Sequence, residues 1–256
     1  MTVDPEAVPV RDASTVVLLR DGAAGIEVWL LTRVAAMTFA AGASVFPGGR
    51  VEDADADLPI TGDVAALTAA LGCDERTARA LLGGAVRETF EETGVLLGSP
   101  MLDLRASRAA VETGELPFGE LLRAHGVTID AATIVPWARW ITPRGEPRRY
   151  DTRFFVAALP DGAEAADVTT ESSAADWLPI GEALAQAQRE QRWLMPPTAS
   201  TLVSLRGFAT VADALVAAAE RDLAPISPTL TRGEDGAVVI TLPTGESFTL
   251  KRPKRG

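Results

Sequence analysis

Three glutamates, Glu88, Glu91 and Glu92, fall within five positions of one short stretch. On a helix they share one face, because Glu91 and Glu92 lie roughly 60° and 40° to either side of Glu88. Like charges four positions apart destabilise an isolated helix by a few tenths of a kcal/mol. A bound divalent cation would offset that repulsion, and Mg²⁺ or Mn²⁺ takes carboxylate oxygens as ligands. The stretch therefore indicates a metal site, with a solvated charged helix face as the alternative.

The residues around the three glutamates suit such a site. Arg87 precedes Glu91 by four positions, so it can brace that carboxylate with a charge-assisted hydrogen bond. Gly94 supplies the residue past the helix end. Upstream, Gly49 closes the segment VFPGG and is soon followed by Asp55. Glycines there would let a backbone carbonyl approach a metal or a phosphate.

The composition narrows the classes of partner and of chemistry. The chain has 256 residues and a formal net charge of −11, which argues against nucleic acid as a partner. Cys73 and His125 are the single cysteine and the single histidine, so an intrachain disulfide and a multi-cysteine zinc site are excluded. We expect Cys73 to be a small buried residue and His125 to end a helix, rather than to act together as a nucleophile.

The beginning of the chain lacks a basic segment followed by an apolar run, so we expect no secretory signal and a cytoplasmic location. No apolar run approaches the length needed to cross a bilayer, so we expect no membrane partner. A homodimeric state is left open.

The elements that must position the glutamates suggest one mixed α/β domain over residues 14–250. A lead-in over 1–13 and a basic tail over 251–256 flank it. The first elements form a predicted β-hairpin, followed by a loop at FPGGRVEDADAD and by helical segments broken near Gly72 and near Gly83–Gly84. Two short helices, two strands, amphipathic helices and a terminal hairpin follow.

These motifs resemble the box of the Nudix hydrolases, G-x5-E-x7-R-E-U-x-E-E-x-G-U, with U a bulky aliphatic residue. Gly49 matches the first glycine, and the second half of the box matches Arg87, Glu88, Glu91, Glu92, Gly94 and Val95. Asp55 stands where the pattern has its first glutamate, and Thr89 stands at a U position. Asp55 and Arg87 are separated by 31 residues instead of seven, an excess of 24.

A subset of the family, which includes the peroxisomal coenzyme A diphosphatases, has a box interrupted at this place, and segments on both sides of the box are also similar. The resemblance implies an α/β/α sandwich with a mixed β-sheet, a helical insertion at about 56–84 and a helical C-terminal extension. We expect the insertion to form a cap beside the catalytic cleft, with Asp74 capping its second helix. We expect Asp55 to orient the loop by holding Arg87 rather than to bind metal.

The resemblance also implies a reaction, the metal-dependent hydrolysis of a nucleoside diphosphate linked to another group. Glu88, Glu91 and Glu92, with the Gly49 carbonyl, would hold Mg²⁺ or Mn²⁺, and Arg87 would orient Glu91. Water would be the nucleophile, and Glu171 is the best candidate for the base, with an exposed loop acid as the alternative.

Several residues are candidates for contacts with a small-molecule nucleotide. Guanidinium groups suit phosphates, so Arg33, Arg149 and Arg153 are candidate diphosphate or 3′-phosphate contacts, as are Arg139 and Arg148. Tyr150, Trp137 and Trp140 could stack on an adenine or belong to the core. Met37 and Phe39 could line the cleft or simply pack.

Coenzyme A or acyl-CoA is the favoured substrate. ADP-ribose, NADH and dinucleoside polyphosphates are alternatives, and a catalytically silent Nudix fold that senses a ligand is a further one. The presence of all three glutamates from the second half of the box favours an enzyme.

Overall fold

The computed structural model describes residues 8–34, 41–144, 146–166, 172–233, 238–242, 245 and 247–250. Its strands are β1 (Val10–Gly22), β2 (Gly25–Arg33), β3 (Ala43–Val45), β4 (Gly48–Arg50), β5 (Ile60–Thr61), β6 (Ile129–Asp130), β7 (Ile134–Ile141), β8 (Arg149–Ala158), β9 (Ser172–Pro179), β10 (Trp193–Leu194), β11 (Thr229–Arg232), β12 (Val238–Thr241) and β13 (Ser247–Leu250). Its α-helices are α1 (Val64–Leu71), α2 (Glu75–Thr93), α3 (Arg108–Glu112), α4 (Phe118–Ala124), α5 (Ile180–Gln188), α6 (Pro196–Leu205) and α7 (Val211–Ala218). Short 3₁₀ helices cover Asp53–Asp57 and Arg105–Ser107.

A mixed sheet organises the molecule around β1. Within the described residues it has eight strands, in the order β10-β3-β2-β1-β8-β7, with β4 also paired to β1 and β9 also paired to β2. The strands β1 and β2 form the predicted antiparallel hairpin, while β1 and β8 run parallel over their length. This long parallel pairing makes β1 the strand against which the other parts of the fold are placed.

The hairpin of β1 and β2 opens into a fork. Near the turn the two strands pair with each other, but the first half of β1 pairs with β4 and the last part of β2 pairs with β3. The segment Phe46–Pro47 joins β3 to β4 inside this fork, where the amide of Val16 donates a hydrogen bond to the Pro47 carbonyl oxygen at 2.9 Å. The glycines that follow are thereby fixed beside β1.

The sheet separates two apolar cores, because alternate residues of a strand point to opposite faces. Val16 and Leu18 of β1 join the core under α2 and α4, whereas Val17 and Leu19 join the core under α5, α6 and α7. Helices therefore cover both faces of a mixed sheet, and the α/β/α sandwich that the resemblance implied is confirmed.

The inserted segment is folded, as expected. After the 3₁₀ helix, β5 pairs with β6, and α1 packs against α2 and β7. Leu67 and Leu71 of α1 are buried in the core. The side chain of Asp74 accepts a hydrogen bond from the Thr77 amide at 3.0 Å, so the predicted cap at the start of α2 is confirmed.

The expected helix break at Gly83–Gly84 is wrong. The helix α2 runs without interruption from Glu75 to Thr93, so the second inserted helix and the box helix are one element. Glycine is a poor helix former, which suggested a boundary. The two glycines instead allow the 3₁₀ segment to lie directly on the helix, and Gly94, with φ of 72°, is where the helix ends.

Three other parts of the fold differ from the expectation. The first strand begins at Val10, inside the segment expected to be a loose lead-in, because its first residues already pair with β8. The segment expected to be a loop contains β4 and the first 3₁₀ helix. The helix α6 was not anticipated, although Pro196 at its first position is a recognised start signal.

The expected terminal hairpin is present as β12 and β13, with β11 added as a third strand. The expected basic tail lies outside the described residues. In the part of the chain that the structure describes, no helix is both long enough and apolar enough to span a membrane.

Candidate active site

The site is built where β4 faces the C-terminal half of α2. Gly49 pairs with Ser14 of β1 and lies directly under the Glu88 carboxylate. A Cβ atom at Gly49 would stand 2.5 Å from Glu88 Oε2, so the Glu88 carboxylate would have to move away from its present position. The amide of Gly48 donates a hydrogen bond to Glu92 Oε2 at 2.8 Å. Both glycines thus allow the loop to approach the acidic face of the helix.

Arg87 is the centre of the hydrogen-bond network. Its Nη1 donates to Glu88 Oε1 at 2.9 Å and to both carboxylate oxygens of Glu91 at 3.3 Å. Its Nη2 donates to the carbonyl oxygen of Arg50 at 2.8 Å, which ties the helix to the end of β4. The bracing of Glu91 expected from the four-residue spacing is therefore present, and Arg87 holds Glu88 as well.

Asp55 holds Arg87 from the other side, as expected. Arg87 Nε donates to Asp55 Oδ1 at 2.8 Å, and Nη2 donates to Oδ2 at 3.0 Å. The amide of Glu52 also donates to Asp55 Oδ2, at 2.8 Å. The side chain of Asp55 is only 2% exposed. Such a two-bond pair between a guanidinium and a carboxylate fixes the orientation of both groups.

The glutamates are not gathered around one point. Within the described residues, no three histidine, cysteine or acidic side chains are grouped so as to hold a metal ion. Arg87 stands between Glu88 and Glu91, and Glu92 is directed to the Gly48 amide. A cation that took these oxygens as ligands would therefore compete with Arg87 and with the loop for them.

Burial acts on the charges of this site. It raises the pKa of Glu88 to about 7, although the neighbouring Arg87 opposes the shift. Burial likewise raises the pKa of Glu91 against the opposing influence of Arg87. Burial alone would lower the pKa of Arg87, but Asp55, Glu88 and Glu91 together raise it. Arg87 therefore stays positively charged. Its attraction for Glu88 and Glu91 does not make up for the hydration that these two carboxylates lose on burial.

Comparisons with known proteins identify the family of this chain. The sequence model of the family described as the NUDT19 Nudix domain matches residues 75–205, just over half of the chain, from the start of α2 to the end of α6. The chain belongs to the NUDT19 Nudix domain family. The match includes Arg87, Glu88, Glu91 and Glu92, which agree with the second half of the Nudix pattern. Gly49 and Asp55 lie before the match, so the interruption of the box stays a prediction.

The chain is also similar in sequence to individual Nudix proteins. The chain is 28% identical to the acyl-coenzyme A diphosphatase NUDT19 of Gallus gallus, over 75% of this chain and 64% of that protein. It is 29% identical to the putative nudix hydrolase 7 of Caenorhabditis elegans, over 70% of this chain and 55% of that protein. The chain thus spans between half and two thirds of the length of these two relatives.

A solved structure shares the fold. The NUDIX hydrolase from Alicyclobacillus acidocaldarius superposes with a TM-score of 0.72 and 28% sequence identity. The match covers 82% of this chain and 97% of that one, so the two chains share the Nudix fold.

The residues predicted to contact the substrate differ in how deeply their side chains are buried. Arg33 ends β2 and is half-buried, opposite Ser172 of β9. Arg149 and Tyr150 begin β8 and are half-buried, and Arg149 Nε donates to the Thr142 carbonyl oxygen at 3.2 Å. These three residues retain some exposure to solvent.

Arg153 is in a different environment, because its side chain is only 5% exposed. It forms an ion pair with Asp151, which also accepts hydrogen bonds from Arg139 Nε at 3.0 Å and from Arg139 Nη2 at 2.6 Å. Arg153 pairs in register with Ser14, whose other neighbour is Gly49. Arg153 therefore lies two strands from the box glycine, and burial lowers its pKa.

The tryptophans belong to the core. Trp137 is fully buried and Trp140 nearly so, both in the core on the face opposite α2. Trp137 Nε1 donates to Ser204 Oγ at 3.0 Å, and the guanidinium of Arg221 lies 3.9 Å from its ring centre. Of the two alternatives left open by the sequence, packing is correct for both.

Some expectations lie outside the described residues, namely those for Glu171, Met37 and Phe39. Of the other single residues, Cys73 is half-buried rather than fully buried, and His125 follows α4 as expected. The structure adds two backbone groups that sequence reasoning missed, the Gly48 amide and the Arg50 carbonyl oxygen. Their only signal in the sequence was the glycine pair itself.

Proposed function

We propose that this chain hydrolyses a phosphoanhydride bond in a nucleoside diphosphate linked to another group, with the help of a divalent cation. Coenzyme A or an acyl-CoA is the first candidate substrate. The observation that carries the proposal is the Arg87 network, which holds Glu88 and Glu91 beside Gly49.

The chemistry of the donor set fits Mg²⁺ or Mn²⁺. Carboxylate and carbonyl oxygens are hard ligands, and the charge and burial of Glu88 favour a cation nearby. In the proposal Glu88, Glu91 and Glu92 hold the metal with the Gly49 carbonyl oxygen. When bound, the metal would polarise a phosphoryl oxygen and lower the pKa of a coordinated water.

The protein groups would have separate tasks. Arg87 keeps the carboxylates of Glu88 and Glu91 oriented and supplies positive charge beside an anionic substrate. Glu171 is proposed as the base that takes a proton from the attacking water. No cysteine or histidine nucleophile is needed, because water itself attacks phosphorus.

The candidate substrate contacts can be ranked by their surroundings. Arg33, Arg149 and Tyr150 are half-buried and can reach a ligand. Arg153 is buried with Asp151, so a direct phosphate contact would require that ion pair to open. We therefore place Arg33 and Arg149 before Arg153 as phosphate contacts, with Tyr150 as the candidate for stacking on a base.

The choice of coenzyme A derives from the relatives. The proteins of Gallus gallus, Xenopus laevis and Homo sapiens that match this chain are named acyl-coenzyme A diphosphatases. ADP-ribose, NADH and dinucleoside polyphosphates contain the same type of bond and are the alternative substrates. A homodimer and a cytoplasmic location remain predictions.

A second candidate function is ligand sensing without catalysis. It is favoured by one observation, that among the described residues no three metal-ligand side chains are grouped around one point. In that case the protein would bind a nucleotide without turning it over.

A hydrolysis screen separates these proposals. The purified chain is incubated with coenzyme A, an acyl-CoA, NADH, ADP-ribose and a dinucleoside polyphosphate, each with Mg²⁺, with Mn²⁺ or with a chelator. We expect coenzyme A or acyl-CoA to be split into two phosphate-bearing halves only when metal is present. Binding of a compound without cleavage under every condition would favour the sensing function instead.

A further inference from the structure

The acid that holds Arg87 is shorter than the family pattern provides. Asp55 stands where the Nudix box has glutamate, so its carboxylate reaches about 1.5 Å less far from the backbone. It nevertheless makes both hydrogen bonds to Arg87, at 2.8 and 3.0 Å. The backbone of the 3₁₀ helix must therefore lie closer to α2 than a glutamate would require.

The helix provides the space for this approach. A Cβ atom at Gly83 would overlap the carbonyl oxygen of Asp55 and would stand 3.0 Å from Leu58 Cδ1. A Cβ atom at Gly84 would stand 3.0 Å from Asp55 Oδ2 and 3.3 Å from Val51 Cγ2. The contact at Gly83 involves backbone on both sides, so a change of side-chain rotamer cannot relieve it.

A second arginine holds the same segment against the helix. Arg79, one turn before Gly83, donates from Nε to the Ala56 carbonyl oxygen at 3.0 Å and from Nη2 to the Leu58 carbonyl oxygen at 2.9 Å. The end of the 3₁₀ helix is thus fixed to α2 at a point next to the glycines. The hydrogen bonds of Arg79 and the ion pair of Asp55 with Arg87 therefore hold the 3₁₀ segment against Gly83 and Gly84 of α2, one contact on each side of the glycines.

We propose that Gly83, assisted by Gly84, is a positioning residue for Arg87. It allows the short side chain of Asp55 to reach Arg87, where the family pattern has a glutamate. The close approach of the backbone replaces the missing methylene group. Through Arg87 this approach determines where Glu88 and Glu91 are held. The inference rests on the proposed function for its catalytic consequence, whereas the coupling between Gly83 and Asp55 can be measured without it.

The proposal predicts a specific rescue. In Gly83→Ala, the new Cβ forces the 3₁₀ segment away from α2, and Asp55 no longer reaches Arg87. In Asp55→Glu, the longer side chain is compressed between its own backbone and Arg87. In the double variant the segment moves away and the longer acid spans the gap, so the ion pair is restored.

The test compares the wild type, the two single variants and the double variant. The readouts are kcat/KM on a substrate that the wild type cleaves and the Tm of the metal-free protein in chelator. Each single variant should lose on the order of tenfold to a hundredfold in kcat/KM, since small displacements of catalytic groups have effects of that size. The double variant should recover to within about threefold of the wild type, and Tm should follow the same order.

Two outcomes would overturn the proposal. One is a double variant whose losses in kcat/KM and Tm equal the combined losses of the single variants, because a merely structural glycine is not rescued by a longer acid at another position. The other is a Gly83→Ala protein with unchanged kcat/KM and Tm. If Gly83→Ala is insoluble, a soluble and active double variant supports the proposal, and an insoluble double variant beside a soluble Asp55→Glu contradicts it.

A matched control is available in α5. Gly181 also lies in a helix, but a Cβ atom there would meet nothing within 4 Å. Gly181→Ala should leave kcat/KM unchanged and should leave Tm equal or slightly raised. If the wild type cleaves none of the compounds in the screen, the proposed function fails, and the Tm values alone then decide whether Gly83 and Asp55 are coupled.

Discussion

Arg87 and Asp55, which are 32 positions apart in the chain, form a buried ion pair with two hydrogen bonds. The segment between them contains the end of the 3₁₀ helix, β5, α1 and the part of α2 that precedes Arg87. The insertion therefore leaves the box and returns to it without separating the two groups. This pair holds the two parts of the interrupted box together, along with the hydrogen bonds from Gly48 to Glu92 and from Arg87 to Arg50.

Asp55→Asn should destabilise the protein and reduce its activity. Breaking a buried ion pair costs about 3 to 5 kcal/mol, and the loss here should lie near the lower figure because Arg87 keeps Glu88 and Glu91. Urea unfolding of the metal-free protein measures the change. Asp57→Asn is the control, since Asp57 is exposed in the same 3₁₀ helix, pairs with Arg76 at 3.4 Å and should matter by less than about 1 kcal/mol. Equal effects of the two changes would contradict this account of Asp55.

Glu88→Gln should stabilise the metal-free protein in a pH-dependent way. The pKa of Glu88 is raised from 4.5 to about 7 by burial, so the folded state binds this proton more tightly than the unfolded state. That stabilisation is complete below about pH 4.5 and is lost as the pH rises to about 7, and glutamine is not subject to the loss. The Tm of Glu88→Gln minus that of the wild type, in chelator, should therefore increase between pH 5 and pH 8.

The control for that experiment is Glu115→Gln. Glu115 is exposed in the turn between α3 and α4, so its replacement should give a Tm difference that does not change with pH. A Tm difference for Glu88→Gln that is constant or decreases over the same range would show that burial does not penalise the Glu88 carboxylate.

The inserted helices should be protected from hydrogen exchange. Amides in the second half of α1 and throughout α2 are hydrogen-bonded in helices whose apolar faces are buried, so residues 67–71 and 79–93 should exchange slowly. If the insertion also acts as a cap over the substrate, coenzyme A with Mg²⁺ should slow exchange over residues 62–82 further. Random-coil exchange over residues 62–82, unchanged by substrate and metal, would contradict both the helical structure and the role as a cap.

Much of this fold could be predicted from local sequence signals. Asp74 and Gly94 mark the two ends of α2, and the three glutamates with Arg87 identify the box. The continuity of α2 through Gly83–Gly84 could not be predicted, because the reason for those glycines is a contact with Asp55, a tertiary feature. Similarly, the pairing of Arg153 with Asp151 is consistent with their two-residue spacing on one strand, but the burial of Arg153 depends on tertiary packing that this spacing does not indicate.

The central claim is that the acidic face of α2 holds the metal on which hydrolysis depends. The most direct test is the turnover of Glu91→Gln and of Glu92→Gln at saturating Mg²⁺, on the substrate found by the screen. Glu75→Gln is the control, at the exposed beginning of the same helix. Loss of metal ligation removes several kcal/mol of transition-state stabilisation, so both box variants should remain folded and lose most of their turnover, while the control keeps its activity. Turnover of either box variant within about threefold of the wild type, roughly 0.65 kcal/mol, would contradict the assignment of the metal site.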